Sequence, residues 1–105
     1  MDFDSFAVVL LRRPDDAPDL PEGELVRIQA EHVAYMEAQR ASGALLANGP
    51  FVDQDDLALR GACVYAVGLE EARAIALQDP SVLARRLEPV LLTWLFPPGL
   101  ARFGA

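Results

Sequence analysis

The sequence predicts a single α+β domain. Apolar runs rich in branched residues alternate with turn signals, as strands do, and two segments repeat apolar residues at helical steps. Their order along the chain is β-α-β-β-α-β. In a domain of 105 residues (1–105) that order predicts a ferredoxin-like βαββαβ sandwich with an antiparallel sheet.

The first strand is Ser5 to Leu11, SFAVVLL, short and continuous in its apolar character. Arg12 to Leu20 follows with two prolines and three aspartates and reads as a solvated loop. Pro21 to Ser42 is the long helix. Pro21 suits its first turn, where a missing N–H costs nothing. Glu22 and Glu24 complement the positive end of the helix dipole. Glu24 with Arg27, and Glu37 with Arg40, are spaced for ion pairs worth about 0.2–0.5 kcal/mol each. Gly43 is placed to end the helix in a left-handed conformation.

Ala44 to Ala47 is a second, short strand, and Asn48-Gly49-Pro50 reads as a turn. Val52 to Arg60 is an acidic loop. Its aspartates have neither a nearby histidine nor the ordered Asp/Asn/Gly spacing of a calcium loop, so no metal site is expected. Gly61 to Val67 is the third strand. Gly68 can cap the next helix, which carries Glu70 and Glu71 in its first turn and Leu69, Ala72, Ile75 and Ala76 on its apolar face. Asp79-Pro80 suits the cap and first residue of a further short helix, with Ser81 in its first turn. The last strand is Arg86 to Phe96, with Pro89 near its start, and Leu100 to Ala105 is a tail.

Composition excludes several functions. The net charge is −7, and all nine cations are arginine, so phosphate backbones are poor partners and nucleic-acid binding is not expected. No apolar run approaches the roughly 20 residues of a membrane span. The acidic N-terminus, MDFDSF, argues for a cytoplasmic protein. Cys63 is the single cysteine, so no internal disulfide forms, and its apolar neighbours suggest a packed thiol. There is no phosphate-cradling glycine loop, and no cofactor is indicated.

The strands are apolar on both faces. Phe6, Val8 and Leu10 oppose Ala7, Val9 and Leu11; Val90, Leu92, Trp94 and Phe96 oppose Leu91 and Leu95. Two helices cover one face of such a sheet. Leaving the other wet forfeits about 1.5–3 kcal/mol per large side chain, so the expected partner is a second copy, sheet against sheet, with Trp94 at the interface.

The only histidine, His32, shares the apolar stripe of the long helix with Leu25, Ile28, Tyr35 and Met36. It is either a pocket imidazole or a buried histidine satisfied by a carbonyl. Tyr35 and Tyr65 can donate hydrogen bonds into a pocket or pack in the core.

Four motifs, FAVVLL, EHVAYMEAQRASG, ALLANGPF and EEARAIALQDP, occur in this order across nearly the whole chain. With them the chain resembles the YciI-like (YCII-related) family of small bacterial proteins, in the dimeric α+β barrel superfamily. The resemblance implies a ferredoxin-like protomer that pairs through its sheets. It also implies a site built on a histidine–aspartate pair, by position His32 and Asp79, with Gly49-Pro50 shaping the same pocket. Such a pair can transfer protons as a general acid–base. The expected activity is cofactor-independent isomerisation or elimination on a small enolisable or hydroxylated cyclic molecule. The alternative is a non-catalytic module that binds a small ligand.

Overall fold

The computed structural model describes residues 2–103. The chain runs β1 (Asp4–Arg12), α1 (Glu22–Ala41), β2 (Leu45–Pro50), β3 (Leu59–Tyr65), α2 (Leu69–Leu77), α3 (Pro80–Leu83) and β4 (Glu88–Phe96). The strands form one sheet in the order β2-β3-β1-β4, and every pairing is antiparallel. This is the ferredoxin-like arrangement, with α3 added before the last strand. Gly104 and Ala105, the end of the expected tail, lie outside the described residues.

The helices lie on one face. Ala7, Val9 and Leu11 of β1, Cys63 and Tyr65 of β3 and Leu45 of β2 meet Met36 of α1 and Ala72 and Ala76 of α2 in a single core. The small Ala72 and Ala76 let α2 sit close to the sheet. On α1, Ile28 and Met36 are buried and Leu25, His32 and Tyr35 partly so, as the periodicity requires. Acids in its first turn and Arg40 in its last complement the dipole. Gly43 ends it at φ 86°, a backbone conformation that a Cβ disfavours.

Four local expectations are corrected. Asn48-Gly49-Pro50 is not a turn: Gly49 pairs with Ala62 and Pro50 with Gly61 as the end of β2. A proline fits there because β2 is an outer strand, whose free edge needs no N–H. The chain reverses later, where Asp53 adopts φ 62°. The last strand starts at Glu88 rather than Arg86, because the Arg86 and Leu87 N–H groups donate to Ser81 O and close the turn after α3. The third strand is shifted towards the N-terminus, covering Leu59–Tyr65 rather than Gly61 to Val67. Arg40 turns from Glu37 to the side-chain oxygen of Asn48, tying α1 to β2. Arg27 pairs with both Glu31, at 2.9 Å, and Glu24, at 3.4 Å.

The helix-free face carries Phe6, Val8 and Leu10 beside Trp94, Leu92 and Val90. Val8 is buried, yet Val90 is 40% and Trp94 49% exposed. The C-terminal segment folds back over one end. Phe103 stacks edge-on against Phe6 with ring centroids 5.1 Å apart, and the Gly99 N–H donates to Asp4 Oδ2 at 2.8 Å.

Candidate active site

His32 stands midway along α1 on its inward stripe, and α3 begins directly beneath it. The fold delivers Asp79 to this place through two local constraints. Its N–H donates to Ala76 O as α2 ends. Its side chain then caps α3, Oδ1 accepting from the Ser81 N–H at 2.9 Å, with Pro80 at the first helical position.

The same carboxylate reaches His32. Nδ1 lies 2.9 Å from Oδ1 and 2.8 Å from Oδ2, across 47 residues of sequence. Helix cap and histidine partner are thus one side chain in both roles. Asp79 is 1% exposed. A carboxylate so buried costs several kcal/mol unless charge-assisted hydrogen bonds compensate it. Three donors do so here: the imidazole Nδ1–H, the Ser81 N–H and the Ser81 hydroxyl, the last at 2.8 Å. Because an ionised carboxylate only accepts, it places the imidazole proton on Nδ1 and leaves Nε2 with its lone pair. Nε2 makes no hydrogen bond among the described residues.

His32 lines a cleft of about 570 Å³ between α1 and the β2–β3 end of the sheet. That volume lies within the range of small-molecule sites, about 300–1,000 Å³. Gly49 and Pro50 of β2 and Gly61 of β3 form part of the wall, with Ser81 and Cys63 beside them. Gly61 is required there: a Cβ at this position would lie 2.6 Å from Gly49 O, too close for the two strands to keep their spacing.

The two tyrosines do not line the cleft. Tyr35 faces α2 and donates its hydroxyl to Ile75 O at 2.7 Å. Burial, and next the Asp79 charge, raise its phenol above the ordinary range. Tyr65 is buried in the core, where desolvation and then the adjacent Cys63 thiol hold its phenol protonated well above the usual value. Burial also pushes the Cys63 thiol up to about 11, partly offset by the neighbouring Tyr65 side chain. Its sulfur rests 3.8 Å from Met36 Sδ. A thiol held in this way is a packing group rather than a nucleophile.

Sequence reasoning missed two features of this site. Ser81 reads locally as a first-turn helix residue, yet its Oγ lies 3.3 Å from His32 Nδ1 as well as bonding Asp79. Four arginines, Arg13, Arg40, Arg60 and Arg86, also line the cleft.

A sandwich of this kind with a buried carboxylate–imidazole pair at the wall of a ligand-sized cleft defines a small α+β protein built around one site. The chain belongs to the YCII-related domain family, whose model matches residues 6–91. No curated protein matches it. Among solved structures it is similar to 5-chloro-2-hydroxyhydroquinone dehydrochlorinase (TftG) from Burkholderia phenoliruptrix AC1100, in complex with 2,5-dihydroxybenzoquinone. The match has a TM-score of 0.55 and 20% identity, and covers 91% of this chain and 96% of that one. At that identity the likeness is one of fold.

Proposed function

We propose that the cleft takes a compact cyclic molecule bearing hydroxyl or enolisable carbonyl groups, and that His32 moves a proton in its isomerisation or elimination. The observation that carries this reading is the contact of His32 Nδ1 with both oxygens of Asp79 at the cleft wall. Nε2 takes a proton from carbon or from a ring hydroxyl. In an elimination the electron pair of the broken C–H or O–H bond forms the new double bond, and the leaving group departs with its own pair. Asp79 stabilises the imidazolium that results, and the proton then passes to product or solvent. The reaction needs no cofactor. Acid–base help of this kind is worth about 10²–10⁴-fold. The solved neighbour's name agrees in reaction class, since a dehydrochlorinase removes hydrogen chloride by elimination.

The test is His32→Gln assayed on chlorinated and unsubstituted hydroxyhydroquinones by absorbance. Binding is expected to persist while turnover falls by about 10²–10⁴-fold. Unchanged turnover overturns the reading. Saturable binding by the unaltered protein with no product assigns it instead to a ligand-binding module.

The proposal extends to the assembly. Two copies pair through their helix-free faces, which the exposed Trp94 and Val90 beside the buried Val8 support. Each large side chain so covered contributes about 1.5–3 kcal/mol.

A further inference from the structure

Resting on the reading of this cleft as a small-molecule site, its arginines identify the charge of the ligand. Of the five other arginines, four are neutralised; the fifth, Arg102 in the C-terminal segment, has no carboxylate within 4.0 Å among the described residues and does not line the cleft. Arg12 faces Glu88, Arg27 faces Glu24 and Glu31, Arg73 faces Glu70, and Arg85 faces Asp16. The four that line the cleft have no carboxylate within 4.0 Å among the described residues. Arg86 donates to Pro18 O and Arg40 to the Asn48 side chain, which leaves other N–H groups of each guanidinium free. Arg13 and Arg60 donate no side-chain hydrogen bond among the described residues.

No aspartate or glutamate lines the cleft, although the chain has sixteen of them and a net charge of −7. Unpaired guanidinium groups held together in a concave site repel one another, and an anion relieves that repulsion. Leu25, Ile28 and Phe51 line the same cleft and offer apolar surface suited to a ring.

We propose that the ligand is a cyclic oxyanion, carrying a carboxylate or ionised ring oxygens, and that Arg13 and Arg60 bind its anionic oxygens while His32 faces the reacting position. A guanidinium presents its N–H groups as a planar fork that matches two such oxygens. The two arginines come from neighbouring strand ends, since the Arg13 N–H donates to Ala58 O at 2.8 Å.

Calorimetric titration tests this with 2,5-dihydroxybenzoate, ionised 2,5-dihydroxybenzoquinone and two neutral probes, 2,5-dihydroxybenzamide and hydroquinone. At least one anion is expected to bind ten times or more tighter than both neutral probes. Its affinity should fall with added salt. Preference for the benzoate assigns a carboxylate ligand, and preference for the quinone assigns ring oxygens. Arg13→Gln and Arg60→Gln should each weaken the anion by about tenfold and leave neutral binding unchanged, with thermal unfolding confirming that both variants fold. Equal affinity for anion and neutral probe, or no binding by either anion, overturns the proposal. His32→Gln should retain the anion preference. A failure of the acid–base role therefore shows in turnover alone, and a failure of anion selection shows in binding.

Discussion

His32 Nδ1 lies 2.8 Å from Asp79 Oδ2, while Asp79 Oδ1 caps the helix that begins one residue later. The cap positions the carboxylate and the imidazole uses it, so helix geometry and proton chemistry depend on one side chain. Replacing Asp79 separates the two.

In Asp79→Asn the amide oxygen still accepts from the Ser81 N–H, so the protein should fold. The charge that stabilises the imidazolium is gone. We expect kcat to fall by about 10²-fold or more with a smaller change in KM. Ser81→Ala removes one of three donors to the carboxylate and should cost about 0.5–1.5 kcal/mol of stability, with less than a tenfold loss of rate. Steady-state kinetics beside urea unfolding separates the two variants. An unaltered kcat in Asp79→Asn would remove the pair from the mechanism.

Gly61→Ala places a methyl group 2.6 Å from Gly49 O. The contact is with backbone, which cannot swing aside as a side-chain tip can. The end of β2 must move off β3, at a cost of about 1–3 kcal/mol. Because both glycines line the cleft, ligand affinity should fall together with the unfolding midpoint.

The Cys63 thiol, ordinarily near 9, is pushed up to about 11 by burial. The folded state thus holds this proton more tightly than the unfolded chain does. Its stabilising contribution is fully present below pH about 9 and is lost as pH rises through about 11. Urea midpoints should therefore decline across this window, and less steeply in Cys63→Ala. Iodoacetamide should label the native protein slowly at pH 8; rapid labelling there would contradict the buried, protonated thiol.

Trp94→Asp puts a charge on the proposed pairing face. Light scattering on a sizing column should give the mass of two chains for the unaltered protein and of one for the variant. A single-chain mass for the unaltered protein at tens of micromolar would sink the sheet-to-sheet dimer.

The inward stripe of α1 was legible because its apolar spacing persists over a long helix, which marks one face unambiguously. The antiparallel sandwich followed from element order. The His32–Asp79 pair was legible only through resemblance, since no local rule joins residues 47 apart. Ser81 escaped notice because a serine after Asp-Pro satisfies a helix start by itself, and its second partner comes from another helix. The arginines escaped for a different reason. In this acid-rich chain each of the four has candidate carboxylates nearby in sequence, and only the fold shows that they lack one. Strand β2 was cut short because Asn-Gly-Pro is a turn signal nearly everywhere except on an outer strand.

The sheet's two outer strands, β2 and β4, each carry a proline, Pro50 and Pro89. A further chain adding alongside would find a backbone donor missing on either rim. Lateral growth into fibrils is thereby discouraged, which leaves the broad helix-free surface of the sheet as the route for the pairing proposed above.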